Sequence, residues 1–247
     1  MLTLPAWLAA GSRSPSPPTI PGACPGSSPA AGAGRPFHLG AMTSTYTIRL
    51  AALADLQAIL DLIDSAAKWL QACKDTDQWA RPWPDEASRD ARVEQGIRDG
   101  LTWIVEDRGA FAGTITCRER GSDRLWTHAE LSDPAVYVSR LIVRRAQAGM
   151  GLGSTLIDWA GQRGQLAWGA NWIRIDVWTT NAALHHYYKG KGFMHIRTGD
   201  FEHEWDYPSA ALFQKPTADI DAAAAARFTE TDSGLAKWPE FRRRLRL

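Results

Sequence analysis

The chain has 247 residues, of which 45% are hydrophobic, so it is long enough to bury one large core or two small ones. Its 28 Lys and Arg residues balance 27 Asp and Glu residues, which leaves no broad basic surface for nucleic acid or an anionic membrane. Three widely spaced cysteines without a CxxC pair argue against a disulfide framework and a zinc site, and the sequence has no run of about 18 apolar residues that would predict a membrane span. We therefore expect a soluble, cytoplasmic protein that binds no metal.

The two ends of the chain differ in composition from the sequence between them. Residues 1–41 hold eight of the fourteen prolines and no acidic residue, which is typical of a disordered tail. Residues 215–247 are Ala-rich and then basic, and we interpret them as a second, solvated tail. The folded domain is therefore expected over residues 42–214.

The first half of this domain alternates strand and helix patterns. Apolar residues at helical spacing, among them Leu56, Leu60 and Ile63, predict an amphipathic helix after a short first strand. A loop rich in Trp, Pro and Asp follows this helix and contains Trp79 and Trp83. The expected elements are a strand at 46–50, helices at 52–70 and 86–98, and the two strands of a hairpin at 101–106 and 111–118.

The second half begins with a polar loop at 119–134 and continues with a strand, a glycine-rich turn, a helix and another strand. Asn181 is a candidate N-cap of the next helix, which Gly190 and Gly192 end. The expected elements are strands at 135–143, 172–178, 193–198 and 209–214, and helices at 151–168 and 182–190.

The glycine-rich turn predicts a phosphate site. Glycines 149, 151 and 153 allow a ligand to approach the backbone, and the helix N-terminus presents free N–H groups and the positive end of its dipole. A tight connection without a ligand would use the same glycines. A P-loop is excluded because no Lys followed by Ser or Thr comes after them. A dinucleotide fold, with Asp176 on the ribose, would need another glycine spacing and more sequence downstream.

The segment LIVRRAQAGMGLGSTLI resembles motif A of the GNAT family of N-acetyltransferases, in which a strand runs into R/Q-x-x-G-x-G/A and then a helix. The six motif places are filled by Ala148, Gly149, Met150, Gly151, Leu152 and Gly153. The family usually has Arg or Gln where this chain has Ala148. Arg144, Arg145 or Gln147 could partly compensate for a missing side-chain contact to phosphate.

The segment NAALHHYYKGKGF resembles the second signature of the same family, and it stands in the family's order and at the usual separation. Its matching positions are Asn181, Tyr188, Gly192 and Phe193. The resemblance covers about residues 45–214. It implies an α/β (α+β) fold with a mixed, mostly antiparallel sheet of six to seven strands and helices on both faces.

This resemblance implies an enzyme that moves an acetyl group from acetyl-CoA to an amine by direct attack in a ternary complex. The fourth strand would part from the fifth and bind the pantetheine arm. The implied acetyl-CoA ligands are Leu141, Ile142, Val143, Ala148, Gly149, Met150, Gly151, Leu152, Gly153, Ser154 and Asn181. The alternative is a non-catalytic acyl-CoA sensor with the same fold, motivated by Ala148 and the lack of an obvious base.

Two proton-transfer roles follow from the same resemblance. Tyr188 is the implied general acid, because a phenol with a pKa of ~10 can protonate a thiolate whose thiol has a pKa of ~8.5. Packing of Tyr188 and Leu184 on the sheet would also account for the tyrosine. Glu130 is the candidate base, and Asp133 and His128, also near the start of the fourth strand, are looser candidates.

The acceptor site is expected under the loop between the first two helices. Trp79 and Trp83 in this loop could form an aromatic wall for a hydrophobic or cationic amine, although ordinary loop packing would also use them. The acceptor is expected to be a small-molecule or protein amine, and the chain a monomer or homodimer.

Overall fold

The computed structural model describes residues 46–199 and 207–231, and the tail predicted at residues 1–41 lies outside them. Eight strands and six α-helices are present within these residues. The strands are β1 (Tyr46–Leu50), β2 (Thr102–Asp107), β3 (Ala110–Arg118), β4 (Ala135–Val143), β5 (Trp172–Val177), β6 (Met194–Thr198), β7 (Ala211–Pro216) and β8 (Phe228–Glu230). The helices are α1 (Leu56–Cys73), α2 (Glu86–Arg98), α3 (His128–Ser132), α4 (Leu152–Trp168), α5 (Ala182–Gly190) and α6 (Ala222–Ala225).

The strands of the described residues form one sheet in the order β6-β7-β5-β4-β3-β2-β1-β8. Neighbours from β1 to β4 pair antiparallel, as do β5 with β7 and β6 with β7. The pairings of β4 with β5 and of β1 with β8 are parallel. The predicted mixed, mostly antiparallel sheet is confirmed, with eight strands in place of the expected six to seven.

Different helices cover the two faces of the sheet. Trp103 of β2 packs edge-on against Trp159 of α4, with ring centroids 5.2 Å apart. The next residue, Ile104, lies in a cluster with Ile59 and Ile63 of α1 on the opposite face. Successive side chains of a strand point to opposite faces, so these apolar strands suit a sheet that is buried on both sides. The expectation of helices on both faces is therefore confirmed.

The helix boundaries follow local signals in the sequence. Helix α2 begins after Asp85, whose carboxylate accepts a hydrogen bond from the Ser88 N–H at 2.7 Å. Helix α4 lies between Gly151 and Gly169, which have φ values of 81° and 65°. A side chain is disfavoured in this left-handed region, so glycine sets both ends of α4.

The domain continues past the predicted boundary at Gln214. Strand β8 pairs with β1, and Phe228 stacks on Tyr46 with ring centroids 5.5 Å apart. Arg163 of α4 forms an ion pair with Glu230 at 2.9 Å. The boundary was placed too early because a three-residue strand has too short a pattern to read, and its partners are far away in sequence.

One further local expectation is wrong. The predicted polar loop contains α3, which begins with a capping box in which Thr127 and Glu130 satisfy each other's backbone N–H groups. The spacing T-x-x-E is a readable signal for this helix start.

Candidate active site

Strands β4 and β5 part halfway along their length. Their parallel pairing runs from Ala135 opposite Trp172 to Val138 opposite Ile175 and then stops. Beyond that point β4 stays paired only with β3, up to Val143. The backbone groups of residues 139–143 that face β5 are therefore without a strand partner among the described residues. The parting implied by the family resemblance is present in the structure.

A cavity of about 660 Å³ opens at this point. It extends from the separated strands to the α1–α2 loop (residues 74–85). The residues that bear on its chemistry include Trp79, Trp83, Arg92, Arg118, Arg140, Leu141, Ile142, Asp176, Asn181, Tyr188 and Tyr207. The cavity thus joins the proposed pantetheine strand to the loop expected to cover the acceptor.

The glycine loop, residues 148–153, lies beyond the carboxyl end of β4. Gly149 and Gly151 adopt φ values of 79° and 81°, and the first turn of α4 has no side-chain cap. The Ser154 hydroxyl donates to the Gly151 carbonyl at 2.8 Å. Uncapped N–H groups at a helix N-terminus suit the pyrophosphate of acetyl-CoA, so the residues present fit this group.

The side chains before Ala148 are occupied within the protein. Gln147 donates to Asp107 at 3.0 Å, and the Arg145 guanidinium stacks on Trp69 with 3.8 Å between its Cζ and the ring centroid. Neither group is freely available to replace the Arg or Gln that the family usually has at position 148. The groups that this loop itself offers to a phosphate are therefore its backbone N–H groups.

Asn181 has a clear structural role. Its Oδ1 accepts the Leu184 N–H at 2.9 Å and caps α5, and its Nδ2 donates to Gln78 at 2.6 Å. Because Gln78 belongs to the α1–α2 loop, Asn181 also fixes that loop to the edge of the cavity. Both polar atoms of the side chain are satisfied without a ligand.

Tyr188 lines the cavity with its ring packed in the core. Its ring centroid lies 5.4 Å from that of Phe193 and 6.5 Å from that of Phe213. The described residues offer its hydroxyl no hydrogen bond, and burial raises the pKa of the phenol above its ordinary value. The ring packing and an acidic role at the hydroxyl are therefore compatible.

Glu130, the predicted base, is directed elsewhere. Its carboxylate pairs with Arg197 at 2.5 and 2.8 Å and accepts from Thr127, and the Arg197 hydrogen bond lowers the pKa of the carboxyl to about 2. Such a carboxylate is a poor proton acceptor at neutral pH, and it does not line the cavity. The nearby Asp133 accepts from Trp172 instead. Glu130 is therefore not placed to act as the predicted base.

Glu130 is expected to contribute to stability instead. Its pKa falls from ~4.3 in an unfolded chain, so its contribution is present above that pH and is lost as the pH falls towards 2. Glu130→Gln should lower the free energy of unfolding at pH 7 by on the order of 1–3 kcal/mol. This range is set low because solvent screens the charge of the partly exposed Arg197. Urea denaturation from pH 7 to pH 3 measures this. The difference in unfolding free energy between the variant and the parent chain should shrink as the pH falls. Glu94→Gln, which removes one member of the exposed Arg98–Glu94 pair, is the control.

The sequence analysis did not predict the roles that two cavity residues, Asp176 and Tyr207, have in the structure. Tyr207 donates to Asp176 at 2.6 Å, and burial raises the pKa of the Asp176 carboxyl. Asp176 directly follows Ile175, whose pairing with Val138 is the last between β4 and β5. It therefore lies where the two strands part. A carboxylate within a strand that is otherwise mostly apolar is the signal that could have identified it.

Trp79 and Trp83 both line the cavity. Trp79 has a φ of 61° and packs against the α1 cluster. The Trp83 ring meets Tyr207 edge-on at 4.9 Å, and the Arg92 Cζ lies 5.1 Å above its centroid. One face of this ring is thus already in contact with a cation.

Comparison with known proteins places this geometry in a family. A model of the acetyltransferase (GNAT) family matches residues 63–193. The uncharacterized N-acetyltransferase YesJ of Bacillus subtilis strain 168 is 26% identical over 141 residues, which are 56% of this chain and 76% of that protein.

Solved structures show the same fold. A GNAT-family acetyltransferase from Listeria monocytogenes is 28% identical with a TM-score of 0.55, and the match covers 69% of this chain and 94% of that one. The PaiA N-acetyltransferase of Thermoplasma acidophilum, solved in complex with coenzyme A, has a TM-score of 0.52 at 16% identity, covering 70% and 99%.

Within the described residues, no helix has both the length and the apolar character to cross a membrane, and no group of three or more His, Cys, Asp or Glu residues is placed to hold a metal ion.

The family match spans more than half of the 247 residues and includes the glycine loop and the Asn181–Phe193 motif. The chain therefore belongs to the GNAT family and is an acetyl-CoA-dependent N-acetyltransferase.

Proposed function

We propose that acetyl-CoA lies along the free half of β4, with its pyrophosphate on the glycine loop, and that the acceptor amine binds under the α1–α2 loop. The parting of β4 from β5 is the observation that carries this proposal, because it opens the cavity between the two binding regions. The proposed backbone ligands are Leu141, Ile142, Val143 and the residues 148–154. Asn181 holds the cavity edge through its cap and its bond to Gln78.

Acetyl-CoA supplies an acetyl thioester as the reactive group. The free backbone of β4 positions its carbonyl, and a backbone N–H there stabilises the charge that develops on the carbonyl oxygen. The amine nitrogen bonds to the acetyl carbon as the carbon–sulfur bond breaks. The Tyr188 hydroxyl then protonates the departing thiolate. Burial raises the pKa of the Tyr188 phenol, and a bare thiolate would be equally disfavoured in the same environment, so the phenol remains a usable donor.

Asp176 is our proposed proton acceptor in place of Glu130. It faces the cavity at the point where the strands part, and the Tyr207 hydroxyl holds its carboxylate by a 2.6 Å hydrogen bond. A raised pKa makes a carboxylate more basic, which suits removal of a proton from the attacking amine. An acid and a base in one cavity favour a working enzyme over the non-catalytic sensor.

We further propose that the acceptor is a small molecule, since the cavity lies beneath a loop fixed by Trp178 and Thr180, which both donate to Asp77. A monomer or homodimer in the cytoplasm is the proposed working form.

The cofactor site is tested by changing one glycine at each end of α4. Gly151→Ala places a side chain at φ 81° on the proposed phosphate loop, and the matched control Gly169→Ala places one at φ 65° at the far end. Each substitution costs about 1–2 kcal/mol of backbone strain. Isothermal titration should show acetyl-CoA binding about five- to tenfold weaker for Gly151→Ala and unchanged for Gly169→Ala. Equal affinities in both variants would contradict the assignment of the loop.

A further inference from the structure

Positive charge is concentrated around the cavity. Six Lys or Arg residues line it against two Asp residues, although the whole chain has a formal net charge of only +1. The basic residues are Lys68, Arg81, Arg89, Arg92, Arg118 and Arg140, and the acidic residues are Asp64 and Asp176. The excess of positive charge is therefore a property of the cavity and not of the whole chain.

Four of the five cavity arginines form no ion pair within the described residues: Arg81, which is exposed, and Arg92, Arg118 and Arg140, which are half-buried. Arg89 forms an ion pair with Asp64 at 2.6 Å. In the described part of the chain, Arg92, Arg118 and Arg140 have no carboxylate within ion-pair distance. Arg92 donates to the Trp83 carbonyl and Arg118 to the Ser139 hydroxyl.

Arg140 is the most constrained of the three half-buried arginines. It adopts a φ of 48°, where a side chain is disfavoured, and its buried Nη1 lacks a hydrogen-bond partner among the described residues. Burial, together with the like charges of Arg118 and Arg92, lowers the pKa of its guanidinium to about 10. Buried charge of one sign is unfavourable unless an opposite charge pairs with it. Asp176 compensates poorly, because burial raises its pKa and Tyr207 occupies one of its oxygens.

The phosphates of acetyl-CoA do not account for this charge. Arg118 lies opposite Tyr137, near the start of β4, whereas the glycine loop follows Val143 at the other end. Six residues of extended strand separate these positions by about 20 Å. The pantetheine arm that would lie between them carries no charge. Arg92 belongs to α2, and the Nη1 of Arg140 lies beside Gly96 of the same helix, so these two arginines lie with Arg118 on the acceptor side.

We infer that the acceptor is a small amine that also carries a carboxylate, such as a free amino acid with an apolar side chain. Arg92, Arg118 and Arg140 bind its carboxylate, and Trp79 and Trp83 contact its apolar part. Planar guanidinium groups bind carboxylates through paired hydrogen bonds, which a neutral or cationic amine cannot offer. This inference rests on the acceptor site of the proposed function, and it replaces the expected cationic amine.

The test compares acceptors that differ only in this charge. The twenty common amino acids and their carboxamides are incubated with acetyl-CoA, and coenzyme A release is followed with a thiol reagent. Rates are compared per unprotonated amine, because amidation changes the basicity of the amine. We expect kcat/KM for the best amino acid to exceed that of its carboxamide by about 10- to 100-fold, as for loss of a charged hydrogen-bond partner.

Substitution of single arginines tests whether they cause the preference for amino acids over carboxamides. Arg118→Gln and Arg92→Gln should each lower kcat/KM for the amino acid by about tenfold and leave that of the carboxamide within about twofold. Arg98→Gln, on the exposed side of α2, is the matched control and should keep the preference. Arg140→Gln is assayed as well, and the other two variants decide the matter if it does not fold.

The outcomes separate the two levels of the proposal. A preference for amino acids that is lost in Arg118→Gln supports the inference. Equal or faster turnover of carboxamides or polyamines overturns it and leaves the acetyltransferase site intact. Acetyl-CoA binding without coenzyme A release from any of these amines overturns the inference and the proposed acceptor site together.

Discussion

Replacing Tyr188 with Phe is expected to lower kcat by about 10²- to 10⁴-fold and to leave the Kd for acetyl-CoA within about twofold. The substitution removes only the hydroxyl, since the ring keeps its contacts with Phe193 and Phe213. In the variant the thiolate must leave without a proton. A bare negative charge is most unfavourable in a cavity that excludes water. Steady-state kinetics of coenzyme A release, combined with titration of acetyl-CoA, measures both quantities.

The neighbouring tyrosine supplies the control. Tyr187 is 39% exposed and is not among the residues that line the cavity, so Tyr187→Phe should retain kcat within about threefold. Because burial raises the pKa of Tyr188, the parent enzyme should also show no descending limb of kcat up to about pH 9. Loss of activity in Tyr187→Phe with a normal Tyr188→Phe would reverse the assignment.

Replacing Asp176 with Asn is expected to lower kcat/KM by about 10²- to 10³-fold. The carboxylate form is the base, so the parent rate should rise with pH through the pKa of Asp176. That pKa lies above the ordinary ~3.9 because burial disfavours the charge. In Asp176→Asn this ascending limb should vanish. A pH profile of kcat/KM between pH 4.5 and pH 9 shows whether it does.

Stability and a second variant guard this result against a folding artefact. Asn removes a charge that burial disfavours and can still accept from Tyr207, so the melting temperature should be unchanged or higher. Tyr207→Phe removes a hydrogen bond that lowers the Asp176 pKa, so its ascending limb should move to higher pH. A limb that stays in place in both variants would show that another group accepts the proton.

The sequence analysis succeeded where the signals are local. The spacing of Leu56, Leu60 and Ile63 predicted α1, and the two strand patterns at 101–106 and 111–118 predicted the β2–β3 hairpin. The Asn181 cap and the start of α2 after Asp85 also agree with the structure. Helix periodicity and capping depend on neighbours within about four residues, so a single sequence contains the information.

The analysis failed where distant residues meet. Glu130 looked like a base because of its place before β4, but Arg197, 67 residues further along, neutralises it. Strand β8 was missed because its partner β1 lies at the other end of the domain. Asp176 and Tyr207 are 31 residues apart, so only folding makes them a pair.

The sequence by itself determined the order of the elements, the glycine loop and the family, because each is encoded in a continuous run of residues. Only the tertiary structure decided that Glu130 pairs with Arg197 while Asp176 lines the cavity, how far the domain extends, and which cavity arginines lack a carboxylate partner among the described residues. Burial and pairing set the pKa and charge of a side chain, and both depend on contacts that form when the sheet assembles.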